Sequence, residues 1–186
     1  MRIVQRTAFV SDLESAQTVS IVKRIKLLTI TALLALTIGT ARSATRDIYP
    51  DPAKSRSELA AALKAAPAEH KRILLDFGGN WCSDCHVLDI YFHQPKNWQL
   101  LNTNFILVDV NVGRYDANLD LAKKYKIPLE KGVPALAVLS ENGKLLYSQQ
   151  TGEFEAMGRM DPSAVTKFLV QWREPRKGCS VMVLNC

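Results

Sequence analysis

Residues 77–86 read FGGNWCSDCH and hold two of the chain's four cysteines, Cys82 and Cys85, spaced C-x-x-C behind Trp81. That spacing alone serves a redox couple, half of a zinc site or a structural staple, so the flanking sequence has to decide. Upstream, RILLDF (Arg72–Phe77) is a short apolar run suited to a buried strand, and it enters a Gly78-Gly79 turn. Downstream, HVLDIYF is apolar at Val87, Leu88, Ile90, Tyr91 and Phe92, which predicts a helix that begins at the cysteines and is closed by Pro95. The cysteines therefore stand where a strand hands over to a helix.

The neighbouring elements follow by the same rules. Glu58–Ala66 is rich in Ala and Leu behind Ser57 as N-cap and predicts a helix. NWQLLN gives a short helical segment, FILVDVNV (Phe105–Val112) a central strand, and Asn118–Tyr125 another helix. GVPALAVL (Gly132–Leu139) supplies a strand, ENGK a hairpin turn tipped by Asn142-Gly143, and LLYSQQ the antiparallel partner. Asp161 as N-cap and Pro162 at N1 open a last helix through Trp172, ended by Pro175. A βαβ unit followed by a hairpin and a closing helix makes an α/β fold whose mixed sheet is covered on both faces.

The 186 residues carry a formal charge of +6, but its location removes the case for nucleic acid. Leu27–Gly39 is an uncharged apolar run behind Lys23, Arg24 and Lys26 and ahead of small residues at Ala41 and Ser43. This is the layout of a secretory signal cut before Ala44; a spanning helix needs about 20 apolar residues, more than this run has. No cysteine lies at the cut, which argues against a lipid anchor. Residues 1–43 hold six of the 24 Lys and Arg and two of the 18 Asp and Glu, leaving the rest of the chain a net charge of +2. The expected organisation is a signal peptide with an N-terminal extension over 1–43, an extended Pro- and charge-rich lead over 44–56, a domain over 57–174 and a cysteine-containing tail over 175–186. Export, to a bacterial periplasm, places the cysteines where disulfides persist; an uncleaved signal would leave the chain membrane-anchored.

Three features together resemble the thioredoxin fold: WCSDC at a strand-to-helix junction, Asp76 six residues before Cys82, and GVPALAVL with Pro134 ahead of a strand. The resemblance covers about Glu58–Trp172. LLDFGGNWCSDCH is most similar to exported thioredoxin-like proteins related to the C-terminal domain of the bacterial transmembrane thiol:disulfide interchange reductase. It implies a thiol:disulfide oxidoreductase with no organic cofactor and no metal. Its partners would be extracytoplasmic proteins with disulfides or dithiols, plus a membrane electron donor. It also implies that Asp76 is a buried acid that moves protons at Cys85, that Pro134 is a cis-proline, and that Trp81, Val133 and Pro134 meet the substrate strand. Pro128 competes for the cis-proline assignment, but Pro134 directly precedes the strand.

Chemistry supports the same assignment. Exchange requires a thiolate, and a helix N-terminus stabilises one at Cys82, so Cys82 is the expected nucleophile and Cys85, one turn on, the resolving cysteine. Ser83-Asp84 between them tunes the potential. Asp84 repels a thiolate, opposite to what a strong oxidant needs, and favours a reductant or isomerase. His86 offers partial compensation or is simply a helix-surface residue. A zinc site would have to recruit Cys179, Cys186, His86 or His93, and the six-residue gap in the tail is not a usual second knuckle. The alternative from another class is a non-catalytic binding module or metal chaperone on the same scaffold. Structural pairing is the simpler reading of Cys179 and Cys186, and His70 and His93 receive no role.

Overall fold

The computed structural model describes residues 46–173. The signal region, Cys179, Cys186 and Pro175 lie outside the described residues. The elements are α1 (Ser55–Glu69), β1 (Arg72–Gly78), α2 (Ser83–Phe92), α3 (Pro95–Asn104), β2 (Phe105–Asn111), α4 (Leu119–Lys124), β3 (Ala135–Leu139), β4 (Leu145–Ser148) and α5 (Ser163–Trp172), with short 3-10 turns between some of them.

The four strands order as β2-β1-β3-β4. β1 runs parallel to β2 and antiparallel to β3, and β3 is antiparallel to β4. This is the mixed sheet expected from a βαβ unit joined to a hairpin, and Gly143 takes the left-handed φ of 78° that the hairpin tip requires. β1 is central and buried along its length after Arg72, so it carries an almost unbroken apolar run in which Asp76 is the exception. Ile73, Leu75 and Phe77 share one core with α1 and α4, alongside Val108, Val110, Ala135, Ala137 and Leu139. Leu74, Leu136 and Val138 face the other side, onto Leu88 and Phe92 of α2, Leu101 of α3 and Val165, Phe168 and Leu169 of α5. Period-two alternation along each strand thus fills two separate cores.

Several boundaries differ from those read in the sequence. α1 begins at Ser55, not behind Ser57: Asp51 caps the 3-10 turn Pro52–Lys54 by accepting from Ala53 N at 2.9 Å, and that turn runs on into the helix. Ser57 lies inside α1 and donates back to the Lys54 carbonyl. The helix also continues through Pro67 to Glu69, because so close to its end the missing N–H forfeits only one ladder bond. Pro95 does not close α2, which stops at Phe92; it opens α3 at the first position, where an N–H would be unpaired anyway. Asn118 has a left-handed φ of 54° and belongs to the loop before α4. α5 starts at Ser163, whose N–H bonds to Asp161 Oδ1 at 2.9 Å, so Asp161 caps from one residue further out than expected.

Candidate active site

β1 delivers its chain end to the N-terminus of α2, and the cysteines meet there. Cys82 is the N-cap of α2, in extended conformation, and its Sγ accepts from Cys85 N at 3.1 Å. Cys82 and Cys85 are joined as a disulfide with Cα atoms 5.3 Å apart, within the ordinary span of such a bond. Both are buried, Cys82 at 6% exposure and Cys85 at 0%, so the outer sulfur is the one a partner can reach.

Cys82 Sγ lies 3.4 Å from the Val133 carbonyl oxygen. The Val133–Pro134 peptide is cis, while no cis bond occurs at Pro128 among the described residues. The loop that precedes β3 therefore abuts the sulfur with its backbone. Trp81 is 39% exposed at the rim, not in a core. Its indole N–H donates to the Gly113 carbonyl at 2.5 Å, its ring sits 5.3 Å from that of Tyr115, and the Arg114 guanidinium lies over it at 5.7 Å. Beyond Tyr115 a groove of about 460 Å³ is lined by Leu119, Leu129, Glu130 and Gly132.

Ser83 is exposed in the first turn of α2. Asp84 turns its carboxylate to Gly158 N, from which it accepts at 2.8 Å, so part of its charge is engaged away from the sulfurs. His86 Nε2 bonds to the Asn80 carbonyl at 2.9 Å, which requires the proton on that nitrogen. His93 lies further along, where its Nδ1 contacts Asp89 Oδ1 at 3.2 Å and its ring stacks on Trp98.

Asp76 is buried at 4% exposure on the same face of β1 as Gly78, and its Oδ1 has no hydrogen-bond partner. Burial raises its pKa well above the usual carboxylate range, and the charges of Asp109 and Asp89 raise it further, while the nearby Tyr49 hydroxyl opposes them. Asp109 is the register partner of Asp76 on β2. Its own pKa is raised to about 7, first by burial, then by Asp89 and Glu58, with His93 opposing. Asp76, Asp109 and Asp89 of α2 thus act on one another electrostatically. The sequence reading singled out only Asp76. The signal for Asp109 was present, because ILLDF and ILVDV place an acid at the same point of two adjacent apolar strands, but only the parallel register makes them neighbours. Tyr49 and Asn80, which hold the lead against the motif, carried no such signal.

A thioredoxin-like family model matches residues 54–140. The chain is 33% identical to a solved structure described as a disulphide isomerase from Xylella fastidiosa Temecula1, over 69% of this chain and 98% of that one, with a TM-score of 0.65. It is 30% identical over 127 residues to the thiol:disulfide interchange protein DsbD of Pseudomonas fluorescens, and 27% identical over 124 residues to DsbD 2 of Pseudomonas aeruginosa. Those alignments take in 67% and 65% of this chain, but the chain spans only about a fifth of each interchange protein (20% and 19%). With the fold, the strand-to-helix cysteine pair and a relative matched over nearly its whole length, the chain belongs to the thioredoxin-like family of disulfide oxidoreductases.

Proposed function

We propose that this protein is an exported thiol:disulfide oxidoreductase that passes electrons between its Cys82-Cys85 couple and disulfides of other extracytoplasmic proteins, working as a reductant or isomerase. The observation that carries the reading is the closed disulfide with Cys82 at the first turn of α2 and the Val133 carbonyl 3.4 Å from its sulfur. That arrangement provides a thiolate-stabilising helix end and a backbone edge beside the reacting atom. The names of the relatives, disulphide isomerase and thiol:disulfide interchange protein, point to the same chemistry.

In the reductive direction, the Cys82 thiolate attacks a substrate disulfide, forms a mixed disulfide and expels one substrate thiolate. Cys85 gives up its proton, attacks Cys82 Sγ and releases the second substrate thiolate, closing the intramolecular disulfide. Two electrons leave the protein. Asp76, whose proton affinity is raised first by burial and then by Asp109, is the proton acceptor for Cys85 in this scheme. The direction follows from charge beside the couple: Asp84, in the first turn of α2 between the two cysteines, disfavours a thiolate on Cys82, and a strong oxidant is one that stabilises its reduced form. Export to the periplasm rests on the Leu27–Gly39 signal pattern. No helix of the described residues is long and apolar enough to cross a membrane.

The test is the reduction potential of Cys82-Cys85, read by mass spectrometry in glutathione buffers with Cys179 and Cys186 replaced by serine. A value near thioredoxin's, about −270 mV, is expected, and one near about −120 mV would overturn the assignment as reductant. A couple that never closes would remove the redox assignment altogether. At the rim, Trp81→Ala is expected to raise KM for a protein disulfide about tenfold, as loss of an aromatic anchor does, while leaving reduction of a small disulfide near wild type. An equal loss on both substrates would show that Trp81 acts on the couple and not on docking.

A further inference from the structure

We infer that the hydroxyl of Tyr49, in the segment that leads into the domain, belongs to the redox site: it donates a hydrogen bond to the Cys85 sulfur when the disulfide opens, and so favours the dithiol form. This deepens the exchange reading above and depends on it.

Tyr49 is 3% exposed; its buried Oη has no partner at ordinary hydrogen-bond distance, and the polar side chain that acts on it from nearby is the Asp76 carboxyl. A buried donor left unpaired costs free energy, so a state of the site that pairs it is favoured by that amount. The sulfur is at hand. A Cβ placed on Gly78 would fall 2.8 Å from Cys85 Sγ and 2.5 Å from Tyr49 Cζ, and closer still to Tyr49 Oη. The hydroxyl and the resolving sulfur therefore converge on the space that glycine leaves open at the end of β1.

The approach is held by side chains of the motif itself. Asn80 Oδ1 accepts from both Ile48 N and Tyr49 N at 2.8 Å, and its Nδ2 donates to the Tyr49 carbonyl at 3.0 Å. Asn111 and Asn118 donate to the carbonyls of Pro50 and Pro52. Asn80 from the β1–α2 loop, and Asn111 and Asn118 at the two ends of the β2–α4 loop, thus lace the lead to the end of the sheet where the cysteines lie.

The charged groups that act on Tyr49 are Asp76 on β1, Asp109 on β2 and Asp89 on α2. Burial first, and then these carboxylates, push its pKa well up, so the phenol stays protonated and serves as a donor. A disulfide sulfur is a poor acceptor, whereas a thiolate is a strong one. During resolution Cys85 S–H loses its proton to the Asp76 carboxylate, and the resulting thiolate attacks Cys82 Sγ. The S–S bond to the substrate breaks and the substrate departs as a thiolate that takes a proton from water. The Tyr49 O–H is neither made nor broken; it solvates the Cys85 thiolate in place of excluded water, which makes it a positioning residue.

The experiment compares the wild type with Y49F, both with Cys179 and Cys186 replaced by serine. Glutathione equilibria and the pH dependence of mixed-disulfide resolution are the readouts, and urea unfolding serves as the control for folding. Loss of one hydrogen bond made only in the dithiol state is expected to shift Y49F about fivefold toward the disulfide. The midpoint of the resolution profile should also move to higher pH. Asn80→Ala, which releases the backbone of Ile48 and Tyr49 from the loop before α2, is expected to shift the equilibrium in the same direction, and the double variant little beyond Y49F. Should Y49F fail to fold, Asn80→Ala supplies the equilibrium test. An unchanged equilibrium and pH profile in a folded, cycling Y49F overturns the inference and leaves the exchange reading standing. A wild-type couple that never closes fells both.

Discussion

Cys85→Ser is expected to turn the protein from a catalyst into a trap. Cys82 lies at the reachable end of the disulfide and its sulfur is already hydrogen-bonded by the first turn of α2, so it attacks a substrate disulfide without help from Cys85. Resolution, however, needs the second sulfur one turn away. With it gone, the mixed disulfide on Cys82 has no intramolecular exit, and turnover should fall at least about 10³-fold, as when any member of a nucleophilic unit is lost. Mass spectrometry after incubation with an oxidised protein should find the adduct on Cys82. Cys82→Ser should give neither turnover nor adduct. Both variants need Cys179 and Cys186 replaced by serine, so that no other thiol substitutes. Undiminished turnover in Cys82→Ser would refute the assignment of the nucleophile.

The second large effect concerns stability. Asp109 has a folded-state pKa of about 7 against an ordinary value of 3.8, so between those limits the folded chain holds a proton that the unfolded chain has lost. Stability from this group is therefore fully present below about pH 4, declines as pH rises through about 7, and is absent above it. The full shift would be worth about 4 kcal/mol; because Asp109 keeps some contact with solvent, about 2 kcal/mol is the better expectation. Asp76 acts in the same direction. Asp109→Asn keeps the shape and removes the charge beside Asp76 and Asp89, so it should raise stability by about 2 kcal/mol at pH 8 and change little at pH 4. Urea midpoints at pH 4, 6 and 8 provide the check. A variant less stable than wild type at pH 8 would mean that the carboxylate makes a compensating interaction. Stability surrendered at neutral pH is the expected cost of holding acids where they can serve proton transfer.

Much of this was legible in the amino-acid sequence. Short apolar runs and the Asn142-Gly143 turn located the four strands, and the order of elements was enough to draw a mixed sheet covered on both faces. The rim position of Trp81, the N-cap position of Cys82 and the cis bond at Pro134 agree with what the motif and the family resemblance implied. Helix ends were read less well, because Pro67 and Pro95 obey rules set by their place in a turn and not by identity alone.

Local signals of spacing, punctuation and residue type therefore determined where the redox couple stands and which helix end activates it, since those depend on residues a few positions apart. Relations between distant segments had no such signal. The parallel register that sets Asp109 beside Asp76, the α2 turn that brings Asp89 to them, and the asparagine lacing that carries Tyr49 to the open side of Gly78 join residues tens of positions apart. Whether a buried polar group meets a partner, a like charge or nothing is settled by packing. On that point, only the tertiary structure decided that Asp76 lies within electrostatic reach of two further acids and a phenol.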